Sequence, residues 1–134
     1  MYTKKNLDSY FFIRPGFYVF FIPVKVPYKK IYGLANSAGL KKKEVFGPIL
    51  EKGKKFGSGW IGIEVEKPST THSDVLHIQG NFQVYEHKGP YKTIGKAYMK
   101  IMKDNPEAKE FFNLYLDDPK KVEIQNLRTQ ILFR

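Results

Sequence analysis

His72, His77 and His87 are the side chains of this sequence best suited to proton transfer or metal binding. A transition-metal site needs several such ligands at fixed spacing, for example two histidines one helical turn apart. These three have no such spacing, so no metal and no cofactor is expected. His77 and His87 fall in stretches that read as strands, where an exposed or hydrogen-bonded histidine is the ordinary case. His72 lies in the loop Ser69 to Asp74 beside serine, threonine and aspartate. A nucleophilic triad requires those groups to converge in space, and crowding along a loop does not supply that. The absence of cysteine removes disulfides, thiolate metal sites and cysteine nucleophiles. Gly53, Gly57 and Gly59 alternate with lysines but lack the Gly-Lys-Ser/Thr ending and strand-loop-helix setting of a phosphate loop.

Lysine and arginine number 23 against 13 acidic residues, a formal net charge of +10. That charge attracts nucleic acid, anionic lipid or an acidic protein. The runs Lys41 to Lys43, Lys52 to Lys55 and Lys120 to Lys121 read first as solvated surface. Lysines near Phe46, Phe56 and Trp60 would suit a stacking surface for nucleic acid, yet no helix-turn-helix, zinc-finger or ribonucleoprotein motif is readable, and nucleic acid is not the expected partner. The apolar stretch from Tyr10 to Val26 is interrupted by Arg14, Pro15 and Pro23. Its unbroken part, Phe17 to Ile22, is far shorter than the roughly 20 residues of a helical membrane span. A soluble, cytoplasmic protein without a membrane partner is expected.

The elements that must position any site follow from a repeat. Residues 25–31 read KVPYKKI and residues 88–94 read KGPYKTI, so Lys25, Pro27, Tyr28, Lys29 and Ile31 recur as Lys88, Pro90, Tyr91, Lys92 and Ile94. An apolar, β-branched stretch precedes each copy, Phe17 to Val24 and Asn81 to His87, and reads as a strand. Proline then opens a helix, since its missing N–H is not needed in the first turn. Ile31, Leu34, Ala35 and Ala38 give the first helix, ended by Gly39. Ile94, Ala97, Tyr98 and Ile101 give the second, about Pro90 to Lys103. Strands at Trp60 to Glu66 and Phe111 to Leu116 each run into an acidic residue and proline, Pro68 and Pro119. Final strands are expected at Val75 to Ile78 and Leu127 to Phe133. The segment Lys41 to Ser58 reads mostly as a loop inserted in the first copy, around the apolar island Val45 to Leu50. The chain of 134 residues, 42% hydrophobic, suits one domain over 1–134, with repeats of about 10–78 and 79–134. The fold class is α+β: two strand-helix-strand-strand modules with pseudo-twofold symmetry, an antiparallel sheet with helices on one face, and a central cleft.

The segments Tyr85-Glu-His-Lys-Gly-Pro-Tyr91, Phe112-Asn-Leu-Tyr-Leu-Asp-Asp-Pro119 and Leu127-Arg-Thr-Gln-Ile-Leu132 resemble the GyrI-like small-molecule-binding domain. The effector-binding domains of AraC-type and MerR-type regulators are similar. The resemblance is specific over about residues 80–133. It implies a cleft for hydrophobic, often cationic, small molecules, with gyrase-inhibitory, drug-sequestering and hydrolytic members among the relatives. It also implies a glutamate where this sequence has Asn113. An amide carries no charge and almost no basicity, so the implied role here is binding rather than catalysis, and no catalytic residue is assigned.

Strand alternation puts Phe111, Asn113 and Tyr115 on one face and Phe112, Leu114 and Leu116 on the other. Aligning Pro68 with Pro119 sets Trp60, Gly62 and Glu64 opposite Phe111, Asn113 and Tyr115. The candidate ligand-binding set is therefore Trp60, Gly62, Glu64, Phe111, Asn113 and Tyr115, with Tyr28 and Tyr91 at the helix starts. Glu64 would supply a carboxylate in place of the one that Asn113 lacks, or else meet a surface lysine. Trp60 is read as pocket wall or core filler, Tyr28 and Tyr91 as ligand contacts or helix-start packing. The expected partner is a small hydrophobic ligand. The alternatives are an interaction module for an acidic protein, as in gyrase-inhibitor-like binders, and a hydrolase of small electrophilic compounds.

Overall fold

The computed structural model describes residues 2–15, 18–19, 22–23, 28–41, 49–52 and 60–134, with side chains described except at 15, 18–19, 22–23, 28–30, 49–52 and 60. Among the described residues eight strands and two α-helices run in chain order: β1 (Thr3–Pro15), β2 (Tyr18–Val19), β3 (Ile22–Pro23), α1 (Tyr28–Ser37), β4 (Ile49–Lys52), β5 (Trp60–Val65), β6 (Val75–Lys88), α2 (Ile94–Asp104), β7 (Phe111–Tyr115) and β8 (Arg128–Phe133). The class is α+β. Among the described residues β2 and β3 pair with each other alone; the other six strands are antiparallel and close on themselves in the order β1-β5-β4-β7-β8-β6.

Alternation along these strands builds two faces from one sheet. On the inner face, Leu7 and Phe11 of β1 meet Ile78, Phe82 and Val84 of β6, Phe112 and Leu114 of β7, and Leu132 of β8. Phe82 and Phe112 pack edge to face with centroids 5.6 Å apart. On the outer face lie the two helices. α1 seats Ile31 and Ala35 on Phe12, Ile61, Ile63 and Val65; α2 seats Ile94, Ala97 and Ile101 on Ile131 and Phe133. Each helix thus buries one stripe, at i and i+4 in α1 and at i, i+3 and i+7 in α2, the source of most helix stability in a small domain. Gly39 follows α1 at φ +75°, the left-handed geometry that glycine adopts without penalty.

The expected helices and the strands β5, β7 and β8 agree with the structure to within about a turn. The beginning of the chain does not. Of the strand expected at Phe17 to Val24 only β2 and β3 are described, paired with each other, and the long strand β1 lies upstream of any strand expected. β1 is hard to read because its first half is polar: from Thr3 to Ser9 only Leu7 is buried. It is held by pairing on both edges, with β6 from Thr3 to Phe12 and with β5 from Tyr10 to Pro15. The strands expected at Val75 to Ile78 and Asn81 to His87 are one strand, β6. Gly80 lies at φ +121°, open to glycine without penalty, and the ladder with β1 continues through it. The insertion is not all loop either, since its Ile49–Lys52 forms β4 between β5 and β7; the remainder of the apolar island, residues 45–48, lies outside the described residues.

Candidate functional site

β7 carries the centre of the site. Asn113 lies on the outer face beneath α2 and is 6% exposed. The Tyr98 hydroxyl, from the inner side of α2, donates a hydrogen bond to Asn113 Oδ1. Asn113 Nδ2 donates to the Tyr115 hydroxyl at 3.3 Å. The Tyr115 ring meets Tyr91 edge to face, centroids 5.1 Å apart, and Phe111 lies 5.8 Å from Tyr98. Two tyrosine hydroxyls therefore hold one buried amide, and Tyr91 and Phe111 pack on the rings of those tyrosines.

Local sequence explains the convergence. Tyr98 falls on the same helix stripe as Ile94 and Ile101, which turns it towards the sheet. Tyr91 follows Gly89, at φ +131°, and Pro90, and opens a short 3-10 turn. His87 Nε2 is 3.1 Å from the Pro90 carbonyl oxygen and 3.0 Å from Thr93 Oγ1, so this histidine pins the turn. Next to Tyr115 in register stands Thr129. Its side chain is 1% exposed, and its hydroxyl is the one buried side-chain polar atom without a hydrogen-bond partner among the described residues.

The expected residues divide between the two faces. Phe111, Asn113, Tyr115 and Tyr91 come together as described. Gly62 and Glu64 do not join them, a correction to the single cleft face read from alignment. The cause is β4. Leu50 pairs with both Gly62 and Leu114, whereas Glu51 pairs with both Ile61 and Asn113. Directly paired residues share a sheet face, so Asn113 goes with Ile61, and Gly62 with Leu114. Glu64 instead lines an inner-face cavity of about 360 Å³ with Leu7, Phe11, Leu114 and Leu116. Tyr28 begins α1 and Trp60 begins β5; their side chains lie outside the described residues. Tyr98 was legible only as part of the helical stripe, where it reads as core.

The other histidines are occupied by local structure. His72 Nδ1 accepts the Asp74 N–H at 3.1 Å, and the Asp74 carboxylate takes Arg14 at 3.0 Å. His77 stacks on Tyr10 and contacts Asp8 at 2.6 Å. Among the described residues no group of three His, Cys, Asp or Glu side chains is placed to hold a metal ion, and no helix is long and apolar enough to cross a membrane.

An acidic corner borders the nest. Arg128 grips Asp117 through Nη2 at 2.8 Å and Nε at 3.1 Å, and this hydrogen bonding holds the Asp117 carboxyl below its ordinary value. Burial, then the charges of Asp117 and Asp118, push the Tyr91 hydroxyl above its ordinary value of 10.0. Burial and Asp118 do the same to Tyr32 of α1. One carboxylate thus acts on tyrosines from both helical segments. These raised values carry a stability consequence. The folded state keeps its tyrosine protons at a pH where the unfolded chain releases them, so stability present below pH 10 is lost as pH rises from there through the folded-state values. The melting temperature is expected to fall between pH 9.5 and 11.5 by a margin that shrinks in Tyr91→Phe; equal falls in both proteins would contradict this.

Several solved structures share this architecture. The crystal structure of the EcmrR C-terminal domain matches with a TM-score of 0.71 at 15% identity, covering 99% of this chain and 95% of that one. The chain has the fold of that domain. An uncharacterized conserved protein from Listeria innocua matches at a TM-score of 0.61 and 14% identity, over 99% and 91% of the two chains. SAV2435, solved bound to tetraphenylphosphonium, matches at 0.54 and 11%, over 99% and 92%. No family model and no curated protein matches the sequence. The likeness in fold to these three structures extends over nearly the whole chain, residues 80–133 included.

Proposed function

We propose that this chain is a small-molecule-binding domain that takes a hydrophobic aromatic or cationic ligand in the tyrosine nest over Asn113, without catalysing its conversion. The observation that carries this reading is the aromatic cluster over one buried amide, Tyr98 and Tyr115 on Asn113 with Phe111 and Tyr91 packed on their rings, and beside it the Thr129 hydroxyl, unpartnered among the described residues. Aromatic walls supply contact area and attract cations through their ring faces. The carboxylates of Asp117 and Asp118 at the border add a field of the same sign preference. Asn113 offers hydrogen bonds and no proton-accepting group of useful basicity, which favours holding a ligand over hydrolysing it. The tetraphenylphosphonium bound by SAV2435, a protein of the same fold, supports the ligand class.

The test is a calorimetric titration with tetraphenylphosphonium and with a neutral aromatic of similar size. Saturable binding is expected, weakened about tenfold by Tyr91→Ala, the loss of one large aromatic contact. Thr129→Val should raise stability by about 1 kcal/mol, because it removes a buried unsatisfied hydroxyl, and at the same time lower ligand affinity. Absence of binding by either compound would defeat the proposal. Weakening by Glu64→Gln but not by Tyr91→Ala would place the ligand in the inner-face cavity instead.

A further inference from the structure

The outer side of α2 is built against the interests of an isolated helix. Ile94, Ala97 and Ile101 face the sheet, and the opposite side carries Met99, 74% exposed, and Met102, 52% exposed. Gly95 lies on the same strip of the helix surface, one turn before Met99 and two before Met102. An added Cβ at Gly95 would meet nothing within 4 Å, and its φ is not positive. Neither packing against the described residues nor backbone geometry calls for glycine, which weakens a helix relative to alanine.

Beside this apolar strip runs a second one of Lys96, Lys100 and Lys103, with Lys92 just before the helix. The first turn holds no acidic residue, and no side chain caps the N-terminus. Lys92 and Lys96 therefore add positive charge at the positive end of the helix dipole. Among the described residues none of these four lysines takes part in an ion pair. Each of these features becomes favourable once carboxylates and an apolar side chain lie against the helix. Two exposed methionines adapt readily to such an occupant.

We propose that this face of α2 is a docking site for an acidic segment of a partner protein, which sets apolar side chains on Met99 and Met102, passes close over Gly95, and pairs its carboxylates with Lys96, Lys100 and Lys103. The inner side of the same helix holds Tyr98 against Asn113, so the docked partner and any occupant of the nest act on one element.

The experiment uses the full chain with the photocrosslinker benzoylphenylalanine in place of Met102, irradiated in a soluble cell extract, with the crosslinked peptides mapped by mass spectrometry. The expected product is a protein segment with an excess of Asp and Glu. Its yield should drop at least tenfold in the triple variant Lys96→Glu, Lys100→Glu, Lys103→Glu. It should also drop in Gly95→Ala, although that substitution raises the melting temperature by several degrees. This dissociation separates docking from helix stability and does not depend on the triple variant folding. The proposal is overturned if the probe crosslinks no more than one placed at exposed Gln125, if its products are lipid or nucleic acid, if the captured segments are not acidic, or if capture survives charge reversal and Gly95→Ala.

Discussion

Replacing Phe112 with alanine is expected to destabilise the domain by about 3–5 kcal/mol, the usual cost of emptying a buried phenylalanine site. Phe112 is 2% exposed and packs among Phe82, Leu114 and Leu132 on the inner face, where both hydrophobic contact and the edge-to-face pair with Phe82 are lost. A domain of this size has about 5–15 kcal/mol in hand, so urea unfolding should show a large drop in the midpoint, and partial unfolding at 37 °C would be no surprise. Met99→Ala on the open side of α2 should stay within about 0.5 kcal/mol of the parent. The comparison also tests which way β7 faces. If Phe112→Ala cost under 1 kcal/mol, Phe112 would not be core, β7 would be turned over, and Asn113 would not lie beneath α2.

Asn113→Asp is expected to raise affinity for tetraphenylphosphonium about 10- to 100-fold while leaving a neutral aromatic unchanged. The side chains are nearly isosteric, so the nest keeps its shape. The Tyr98 hydroxyl continues to donate to the position of Oδ1, and the Tyr115 hydroxyl, which accepts from Nδ2 in the parent, rotates to donate instead. A carboxylate and a cation about 4 Å apart near a protein surface attract by about 4 kcal/mol before desolvation is counted, and each tenfold gain in affinity is about 1.4 kcal/mol. Without ligand the same substitution should lower stability by about 1–3 kcal/mol, because a charge then sits beneath a helix in place of a satisfied amide. Equal affinity of parent and variant for the cation would show that the ligand does not reach Asn113, whether or not the protein binds it elsewhere.

The readings that came out right from sequence are those set within a few residues of the chain. Ile94, Ala97, Tyr98 and Ile101 mark one face of a helix whatever lies opposite, because the helical period is a local property. Gly39 and Pro90 mark a helix end and start for equally local reasons. The alternation of Phe111, Asn113 and Tyr115 against Phe112, Leu114 and Leu116 was legible too, and it holds: the first set lies under α2 and the second lines the inner face. The resemblance carried by residues 80–133 pointed to the fold, since order and spacing of elements leave a trace even where identity is low.

What only the tertiary structure decided is which strands stand beside which, and therefore which faces are shared. Register is a relation between distant segments, and a slip of one residue moves every side chain to the other face. Nothing local to β5 says that Leu50 of β4 will pair with both Gly62 and Leu114, yet that pairing alone separates Glu64 from Asn113. In the same way the polar first half of β1 is a strand only because β6 supplies its hydrogen bonds, and that same pairing with β1 runs from Val75 to Val84 and joins what read as two strands into one. Charge, the lack of cysteine, the helices and the alternation of β7 were determined by the sequence alone; the company that Asn113 keeps was determined by pairing across the sheet.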